Sequence, residues 1–425
     1  MKKLAKVLAL VLALAMVLSA FGCATDTTKP ADTETTQPAD TATTEPEGES
    51  NVNVDESYND MTSEELYELA KAEGGDINIY SISSRMQKTC DKFNEAYPEL
   101  NAVAYDMDQD EAVSKIKIEA ETGNINADLL QGKDCAGEIY YDFYPLGYLE
   151  TYYPTDICSH IDDNLEKYGM PFYSSFNFWY YNTKAFPDAC PVTNWWDIVE
   201  IDEATGKQKY NIVTKEIGSE STYIAFFSMF ILNADQMEAA YKEKYGTDIE
   251  YTYEAFDGLP ENNAGVEFYY RFSQLKLTFI SDGDEVVEAV QNSTAASPTL
   301  GFCSAGKISN RDDNGWDVDW VTGLTPYTTV QNTNYLYVVT GCDNPAGVRL
   351  FVRFLMGEAD GQGDGFSPFT KQGNWSVRDD YTNENNPFGL DGAGAIVSDI
   401  SGIYEIYPSA QDFWIYSYSK SPNKG

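Results

Sequence analysis

A short polar turn rich in serine is the first place where this sequence could bind a small molecule. Ser81, Ser83, Ser84 and Arg85 directly follow an apolar run at residues 77–80 and precede an amphipathic segment. They therefore lie where a strand passes into a helix, and a helix start offers free backbone N–H groups. The hydroxyls and the guanidinium add further donors and a positive charge. This combination suits the binding of a carboxylate or a phosphate.

A second turn repeats the pattern later in the chain. Ser219, Ser221 and Thr222 open another predicted helix, and the two turns could close on one anionic group from opposite sides. Two observations oppose this interpretation. Serine at a helix start often serves only as an N-cap, and Glu220 places a negative charge within the second turn. The residues alone leave both interpretations open.

Three further pairs of residues are candidates for contact with a ligand. They are Lys133 with Asp134, Trp179 with Tyr180, and Trp375 with Arg378. The first pair follows a predicted strand and could reach the site as a charge pair, although solvation at the surface is the alternative. The aromatic pair could stack on a sugar or a base or meet a cation, although core packing is the commoner fate of such rings. The third pair lies in a late loop that could close over the site.

Several kinds of catalytic and metal site are disfavoured by the residue inventory. His160 is the single histidine, so no histidine cluster can form, and no nucleophile-elbow motif accompanies it. A hydrolase that needs only two carboxylates stays as an alternative, because 68 acidic residues make chance pairs unavoidable. We therefore expect neither a cofactor nor a resident metal. The six cysteines after Cys23 form no CxxC pair, and we expect mostly buried thiols.

The candidate turns sit in an alternating pattern of strands and helices. Predicted strands at residues 77–80, 102–105 and 128–130 are separated by segments with helical spacing of apolar residues. This order predicts a parallel α/β sheet, in which ligands bind at the carboxyl edge of the strands. A second unit of the same kind begins near residue 178. The sequence therefore predicts an α/β protein with two lobes and a cleft between them.

Length and charge agree with a two-lobed protein that binds small molecules. About 370 residues follow the N-terminal region, more than one hydrophobic core usually supports. The formal net charge is −40, from 28 basic and 68 acidic side chains. Such a surface repels nucleic acid and anionic membranes, so neither is expected to bind it directly.

The N-terminal region carries the pattern of an export signal. Lysines precede an apolar run at residues 7–18, which is too short to span a bilayer, and small residues lead to Cys23. A cysteine at this position resembles the lipidation site of bacterial lipoproteins. Residues 1–22 are then a signal peptide, and residues 23–54, rich in Thr, Pro, Asp and Glu, form a disordered tether. We expect the protein on the outer face of the bacterial cytoplasmic membrane, held there by a lipid on Cys23.

Short motifs in a fixed order resemble those of the extracytoplasmic solute-binding proteins of ABC importers. The similarity is to the branch that contains ferric-iron, polyamine, thiamine and phosphonate binders. The motifs lie at residues 65–74, 79–85, 119–124, 127–130, 179–184, 284–290 and 301–302. Each motif is weak by itself, whereas their order and spacing together are more specific.

The resemblance implies a type II periplasmic-binding fold, in which two lobes close like a hinge on a small solute. It places the crossings between the lobes near Asn177 and Leu324. The first lobe is then 55–176 with 324–372, and the second is 177–323 with 373–425. The implied partners are a small-molecule solute and the ABC permease subunits in the membrane, and we expect the binding protein to be a monomer without enzymatic activity.

The solute expected from these features is small, polar and anionic, either a carboxylate or a phosphorylated compound. Ferric binders of the family carry an adjacent tyrosine pair where this chain has residues 301–306, which contain Ser304 and no tyrosine. Ser304 is included among the predicted ligand contacts. The alternatives are a ferric-iron, polyamine or thiamine binder of the same class, a surface sensor or adhesin module, and the carboxylate-dependent hydrolase.

Overall fold

The computed structural model describes residues 53–202 and 204–423. The predicted signal peptide, Cys23 and nearly all of the predicted tether lie outside these residues. The last two tether positions are already attached to the folded part, because Asn53 Nδ2 donates to the carbonyls of Tyr144 and Leu149 and Val54 forms a bridge with Thr151. Within the described ranges, no helix has the length and apolar character that crossing a membrane requires.

The elements alternate along most of the chain as the apolar pattern predicts. The strands are β1 Ile77–Ser81, β2 Ala102–Asp106, β3 Leu129–Lys133, β4 Leu149–Glu150, β5 Met170–Ser175, β6 Asn177–Asn182, β7 Ile201–Asp202, β8 Lys207–Gln208, β9 Asn211–Thr214, β10 Leu277–Phe279, β11 Thr299–Ser304, β12 Val318–Trp320, β13 Thr329–Val339, β14 Asn374–Ser376 and β15 Ala395–Val397. The helices are α1 Ser63–Glu73, α2 Met86–Ala96, α3 Gln109–Thr122, α4 Thr155–Cys158, α5 Asp163–Glu166, α6 Ser221–Leu232, α7 Ala234–Tyr245, α8 Ala264–Ser273, α9 Gly283–Gln291, α10 Arg311–Asn314, α11 Pro345–Leu355 and α12 Ile400–Ser419.

Local sequence explains where several of these helices begin and end. Thr62 and Glu65 form a capping box at the start of α1, which satisfies backbone donors that the helix leaves free. In α2 the apolar residues at helical spacing, Met86, Cys90 and Phe93, are buried. Helix α3 ends at Gly123, whose left-handed conformation with φ of 69° suits glycine.

Two mixed sheets form the centres of the two lobes. In the first sheet the strand order is β14-β5-β13-β3-β1-β2, with β4 and β15 paired to β13. Strands β1, β2 and β3 are parallel, whereas β13 runs antiparallel to β3 and β5. The second sheet has the order β10-β9-β11-β6-β12, in which β9, β10 and β11 are parallel and β6 is antiparallel to its neighbours. We call the parts built on these sheets the first and the second lobe.

The chain passes between the sheets at two places close to the predicted crossings. Strand β5 belongs to the first sheet and β6 to the second, and only Phe176 lies between them. The return lies between β12 and β13, at residues 321–328. The strands β5, β6 and β13 therefore run through the hinge region.

Strand pairing corrects the predicted boundary at residue 373, which assigned everything beyond it to the second lobe. Strand β14 pairs with β5, and β15 pairs with β13, so both belong to the first sheet. Only the final helix α12 packs against second-lobe helices, namely α6 and α8. Such short strands carry too few residues for an apolar pattern to reveal which sheet they join.

A buried carboxyl group next to β3 makes the stability of the protein depend on pH. Asp128 is 2% exposed, and its carboxylate accepts a hydrogen bond from the backbone N–H of Asn78 at 2.6 Å. Burial, together with the negative charge of Asp343, raises the pKa of Asp128 to about 7. Because the folded state holds this proton more tightly than the unfolded state, Asp128 contributes stability that is lost as pH rises from about 4 through about 7.

The substitution Asp128→Asn is expected to remove this loss, since the amide stays neutral and can still accept from Asn78. The melting temperature of D128N relative to wild type should increase by a few degrees between pH 5 and pH 8, measured by circular dichroism. D188N, at an exposed aspartate, is the control and should show no such trend. A constant difference between D128N and wild type across this range would contradict the assignment.

Candidate ligand-binding cleft

A cavity of about 310 Å³ lies between the two lobes at the hinge. We call it the central cavity. From the first lobe and the hinge it is lined by Lys133, Ser175, Phe176, Asn177 and Asn332. From the second lobe it is lined by Lys215, Glu220, Thr222, Tyr223, Ser281, Asp282, Gly283, Cys303, Ser304 and Lys307. Its volume is at the small end of the range for small-molecule sites.

The topology of both sheets explains why these residues meet. Lys133 is the last residue of β3, Lys215 follows β9, and Ser304 ends β11. Ser281 and Asp282 come shortly after β10. Carboxyl ends of parallel strands share one edge of a sheet, and the two edges face each other across the hinge. The central cavity therefore occupies the position where an α/β sheet ordinarily binds ligands.

Lys133 places a positive charge in the cavity, and its environment affects the pKa of that charge. Its backbone is fixed by Gln109, whose Oε1 accepts from the Lys133 N–H at 2.8 Å and whose Nε2 donates to the Lys133 carbonyl. Within the described part of the chain, its half-buried ammonium has neither a hydrogen-bond nor an ion-pair partner. Burial, assisted by the like charge of Lys215, lowers the pKa of this ammonium. A cation held in this way is suited to an anionic group brought by a ligand.

The other two lysines of the cavity are already paired with carboxylates. Lys215 Nζ lies 2.8 Å from Glu220 Oε1. Lys307 Nζ lies 2.8 Å from Asp284 Oδ2 and 3.8 Å from Asp282 Oδ1. These pairs position charged groups around the cavity and leave Lys133 as its uncompensated cation.

The hinge wall adds neutral polar groups. Asn177 is 6% exposed, and its side-chain Nδ2 is buried without any hydrogen-bond partner among the described residues. Asn332 and Ser175 are paired in register on β13 and β5 and are also buried. Buried amide donors are nearly always satisfied in folded proteins, so the Asn177 amide is available to donate to a ligand in the cavity.

The first serine turn lies outside the central cavity, although the prediction put it at the ligand. Ser81 is fully buried, and its Oγ is 2.7 Å from Gln131 Oε1 and accepts from the Ser83 N–H at 3.1 Å. Ser83 Oγ in turn accepts from the Arg85 N–H at 3.4 Å. Ser84 and Arg85 also lie outside the lining. In the sheet order β1 is one strand farther from the hinge than β3, so its turn is displaced from the cavity.

The second turn divides between the central cavity and a neighbouring one. Glu220 and Thr222 line the central cavity, whereas Ser219, Ser221 and again Thr222 line a second cavity of about 760 Å³. The N–H of Ser219 is taken by Glu216 Oε2 at 2.7 Å, so it is not free for an anion. Thr222 Oγ1 lies 3.6 Å from Cys135 Sγ, which brings the second lobe into contact with the first.

The second cavity is acidic and shares Lys133 and Thr222 with the central one. We call it the acidic cavity. Its lining includes the carboxylates of Asp106, Asp108, Asp110, Glu111, Asp134 and Glu138. Burial and the negative charges of Asp110 and Asp142 raise the pKa of Glu138.

Asp134 does not form the predicted charge pair with Lys133. It is 3% exposed, and its two oxygens accept from the backbone N–H groups of Ile139 and Tyr140 at 3.0 and 2.9 Å. Burial raises its pKa to about 7 despite these bonds. The carboxylate therefore organises its own loop, which leaves the Lys133 ammonium without it.

The predicted aromatic contacts and the late loop are used for packing. Trp179 is 1% exposed with its ring centroid 4.9 Å from that of Phe302, and the Tyr180 hydroxyl donates to the Ser304 carbonyl at 2.8 Å. Trp375 is buried and stacks on Phe388. Arg378 is also buried. Its guanidinium donates to backbone carbonyls and to Asp380. None of these four residues lines the central cavity. The three aromatic rings are buried in the core, where they bury a large apolar area.

Several lining residues were missed from the sequence although one signal was available. Lys215 directly follows β9, and the rule that selected the residues after the first strand would have found it. Ser281, Asp282 and Lys307 follow β10 and β11 in the same way. Asn177 and Asn332 lie inside strands, and no local signal distinguishes them from sheet residues.

The side chains near the end of β11 do not resemble the ligands of a ferric-iron site. Among the described residues that line the central cavity, Tyr223 is the single tyrosine. Its hydroxyl donates to the Phe302 carbonyl at 3.3 Å, and burial raises its pKa well above the usual value, which opposes a phenolate. Cys303 Sγ contacts the Gly283 carbonyl at 3.6 Å. All six cysteines of the described part, including Cys303, are free thiols.

His160 lies apart from the central cavity. Its Nδ1 is 3.0 Å from Asp379 Oδ1, and its Nε2 is 3.6 Å from Asp380 Oδ2. Asp380 is also held by Arg378 at 2.7 Å. Because Arg378 already neutralises Asp380, this group of three side chains is a weak candidate for a metal ion.

Comparison with known proteins gives a consistent result. A family model described as bacterial extracellular solute-binding protein matches residues 88–387. No curated protein sequence matches the chain.

Solved structures resemble this chain in fold at low sequence identity. The apo ferric ion-binding protein A of Pasteurella haemolytica is 14% identical with a TM-score of 0.56, over 81% of this chain and 98% of that chain. AfuA of Actinobacillus pleuropneumoniae, solved with fructose-6-phosphate, is 14% identical with a TM-score of 0.53, over 82% and 99%. MotA of A. tumefaciens, solved with glucopine, is 12% identical with a TM-score of 0.53, over 81% and 100%.

These similarities confirm the predicted two-lobed periplasmic-binding fold and the predicted class of protein. The match to the family model spans more than half of the chain and includes residues of both lobes. The chain belongs to the family of bacterial extracellular solute-binding proteins, and it is an extracytoplasmic protein that binds a solute.

Proposed function

We propose that this protein captures a small anionic organic solute in the central cavity and delivers it to an ABC permease. The observation that carries the proposal is the half-buried Lys133 ammonium, which has no partner in the described part of the chain and faces the cavity. The anionic group of the solute would bind at Lys133, and the second lobe would close over it with Lys215 and Ser304. The protein would bind and release its solute without changing it.

The location proposed for this work is the outer face of the cytoplasmic membrane, with a lipid on Cys23 and a tether of about thirty residues. Tethering raises the effective concentration of the loaded protein beside its permease. A monomer suffices for this role, since both walls of the central cavity come from one chain.

A polyamine is the second candidate, and the acidic cavity favours it. Its carboxylates at Asp106, Asp108, Asp110, Glu111 and Glu138 would suit a flexible cation with several charges. The anionic solute stays the first proposal because it accounts for the Lys133 ammonium, which has no ion-pair partner among the described residues.

Differential scanning fluorimetry of the chain from residue 55 distinguishes the two candidates. The compounds to be compared are phosphorylated sugars, phosphonates, organic acids, thiamine, spermidine and ferric citrate. An anionic organic compound at about 100 times its dissociation constant should stabilise the protein by about 2.7 kcal/mol and raise the melting temperature by several degrees. A shift with spermidine alone would contradict the anionic proposal and support the polyamine.

A further inference from the structure

The polar groups of the central cavity define the solute more narrowly than its negative charge does. We propose that the solute is a polyhydroxylated monoanion, the class of the sugar acids, with its carboxylate at Lys133 and its hydroxyls between Asn177 on the hinge and the carboxylates of Glu220 and Asp282 on the second lobe. This inference rests on the proposed function, because it assumes that Lys133 binds the anionic group.

The number of charges follows from the pairing of the lysines. Lys215 is neutralised by Glu220 at 2.8 Å, and Lys307 is neutralised by Asp284 at 2.8 Å. Lys133 is the lining cation that lacks a carboxylate partner in the described part of the chain. One anionic group on the solute therefore completes the pairing of the three lining lysines. A second one would lie near the carboxylates of Glu220 and Asp282, which line the same small volume.

The need for hydroxyl groups follows from the two kinds of hydrogen-bonding groups in the walls. Asn177 lines the cavity, and its buried Nδ2 has no partner among the described residues, so it can donate to an acceptor on the solute. Glu220 uses Oε1 for Lys215, while Asp282 accepts the N–H of Asp284 through Oδ1. Both carboxylates thus retain an oxygen that can accept a hydrogen bond from the solute. A hydroxyl group both donates and accepts, so a chain of hydroxyls satisfies both walls.

Four six-carbon compounds that differ only in charge and hydroxyl groups test this inference by isothermal titration calorimetry. D-gluconate carries one charge and hydroxyls, hexanoate one charge alone, sorbitol hydroxyls alone, and D-glucarate two charges with hydroxyls. Gluconate is expected to bind at least 10-fold more tightly than each of the other three. The inference would be overturned if hexanoate, sorbitol or glucarate bound as tightly as gluconate. It would also be overturned if gluconate did not bind at millimolar concentration.

The variant Asn177→Leu examines the hinge donor directly. N177L should weaken gluconate binding about 10-fold, leave hexanoate binding unchanged, and keep or raise the melting temperature of the unliganded protein, because an unsatisfied buried donor is removed. Asn124→Leu, at an exposed asparagine, is the control and should bind gluconate as wild type does. A large fall in the melting temperature of unliganded N177L would show that the amide is structural, and the inference would then be wrong.

Different results would contradict the proposed function and the sugar-acid inference. If neither these compounds nor the phosphorylated sugars bind, or if binding is insensitive to Lys133, the anionic function itself is wrong. If anionic compounds bind through Lys133 while hydroxyl groups add nothing, only the sugar-acid inference is wrong.

Discussion

Replacing Lys133 with methionine, K133M, is expected to weaken the binding of an anionic solute by about 10- to 100-fold. This is the usual contribution of a hydrogen bond to a charged group. The compound to be tested is the anion that gives the largest shift in the fluorimetry screen. The ammonium faces the central cavity and has no partner in the part of the chain that the structure describes. Methionine keeps the unbranched length of the side chain and removes the charge. Isothermal titration calorimetry at neutral pH measures the change.

The pH dependence of binding gives a second signature of the same residue. Burial and the like charge of Lys215 lower the pKa of the Lys133 ammonium, so the free protein loses this charge at a lower pH than an exposed lysine does. Affinity for an anion should therefore fall as pH rises through that lowered pKa. In K133M this fall should be absent, because no titrating group remains at the position.

Two matched variants control the Lys133 experiment. K133R retains the positive charge and should keep most of the affinity, while K88M removes an exposed lysine on α2 and should bind as wild type does. Equal affinities of K133M and wild type would leave the central cavity without its anion-binding group and would refute the proposed function.

The substitution Gly265→Ala is expected to produce the largest loss of stability, about 3 kcal/mol or more, which is the upper range for overpacking a core. Gly265 lies on α8 where this helix packs against α6. A Cβ atom at this position would lie 2.0 Å from the Phe230 carbonyl oxygen and 2.2 Å from its carbon. These are backbone atoms of a buried helix, so neither a rotamer change nor a small shift can relieve the overlap.

Thermal unfolding followed by circular dichroism measures the effect of G265A. G389A is the matched control, because a Cβ at Gly389 would have no atom within 4 Å and its backbone φ is −69°. The control should melt within about a degree of wild type, since surface substitutions away from packed features change stability little. A melting temperature of G265A equal to that of G389A would mean that α6 and α8 do not approach as closely as described.

Lys133 and the first serine turn show how well a binding site can be predicted from sequence. Both follow strands of the first sheet, and the same rule selected them from the sequence. Only Lys133 lines the central cavity, because β3 pairs with the hinge strand β13, in the register Lys133 to Asn334. That pairing joins residues about 200 positions apart, and no local pattern encodes it.

Trp179 and Arg378 show the other limit of sequence reasoning. An indole or a guanidinium has the same chemistry in a core as in a binding site, and only its neighbours decide its role. Phe302 covers Trp179, and the backbone carbonyls of Glu358 and Ala359 bind Arg378. Asn177 is the reverse case, since it is an ordinary strand residue in the sequence and an unsatisfied donor in the cavity.

The class of fold, the two lobes and the sheet edges that line the central cavity could be predicted from the sequence alone. These properties follow from the period of apolar residues and from the order of strands and helices, which are local and survive in any single sequence. Contacts in the folded protein establish which residues line the cavity and that the Asn177 donor lies on the hinge. They also show that, within the described ranges, the Lys133 ammonium has no partner while Asp134 accepts two backbone hydrogen bonds. Those properties depend on contacts between distant segments, where packing and charge pairing select a few of the many polar side chains near the strand ends.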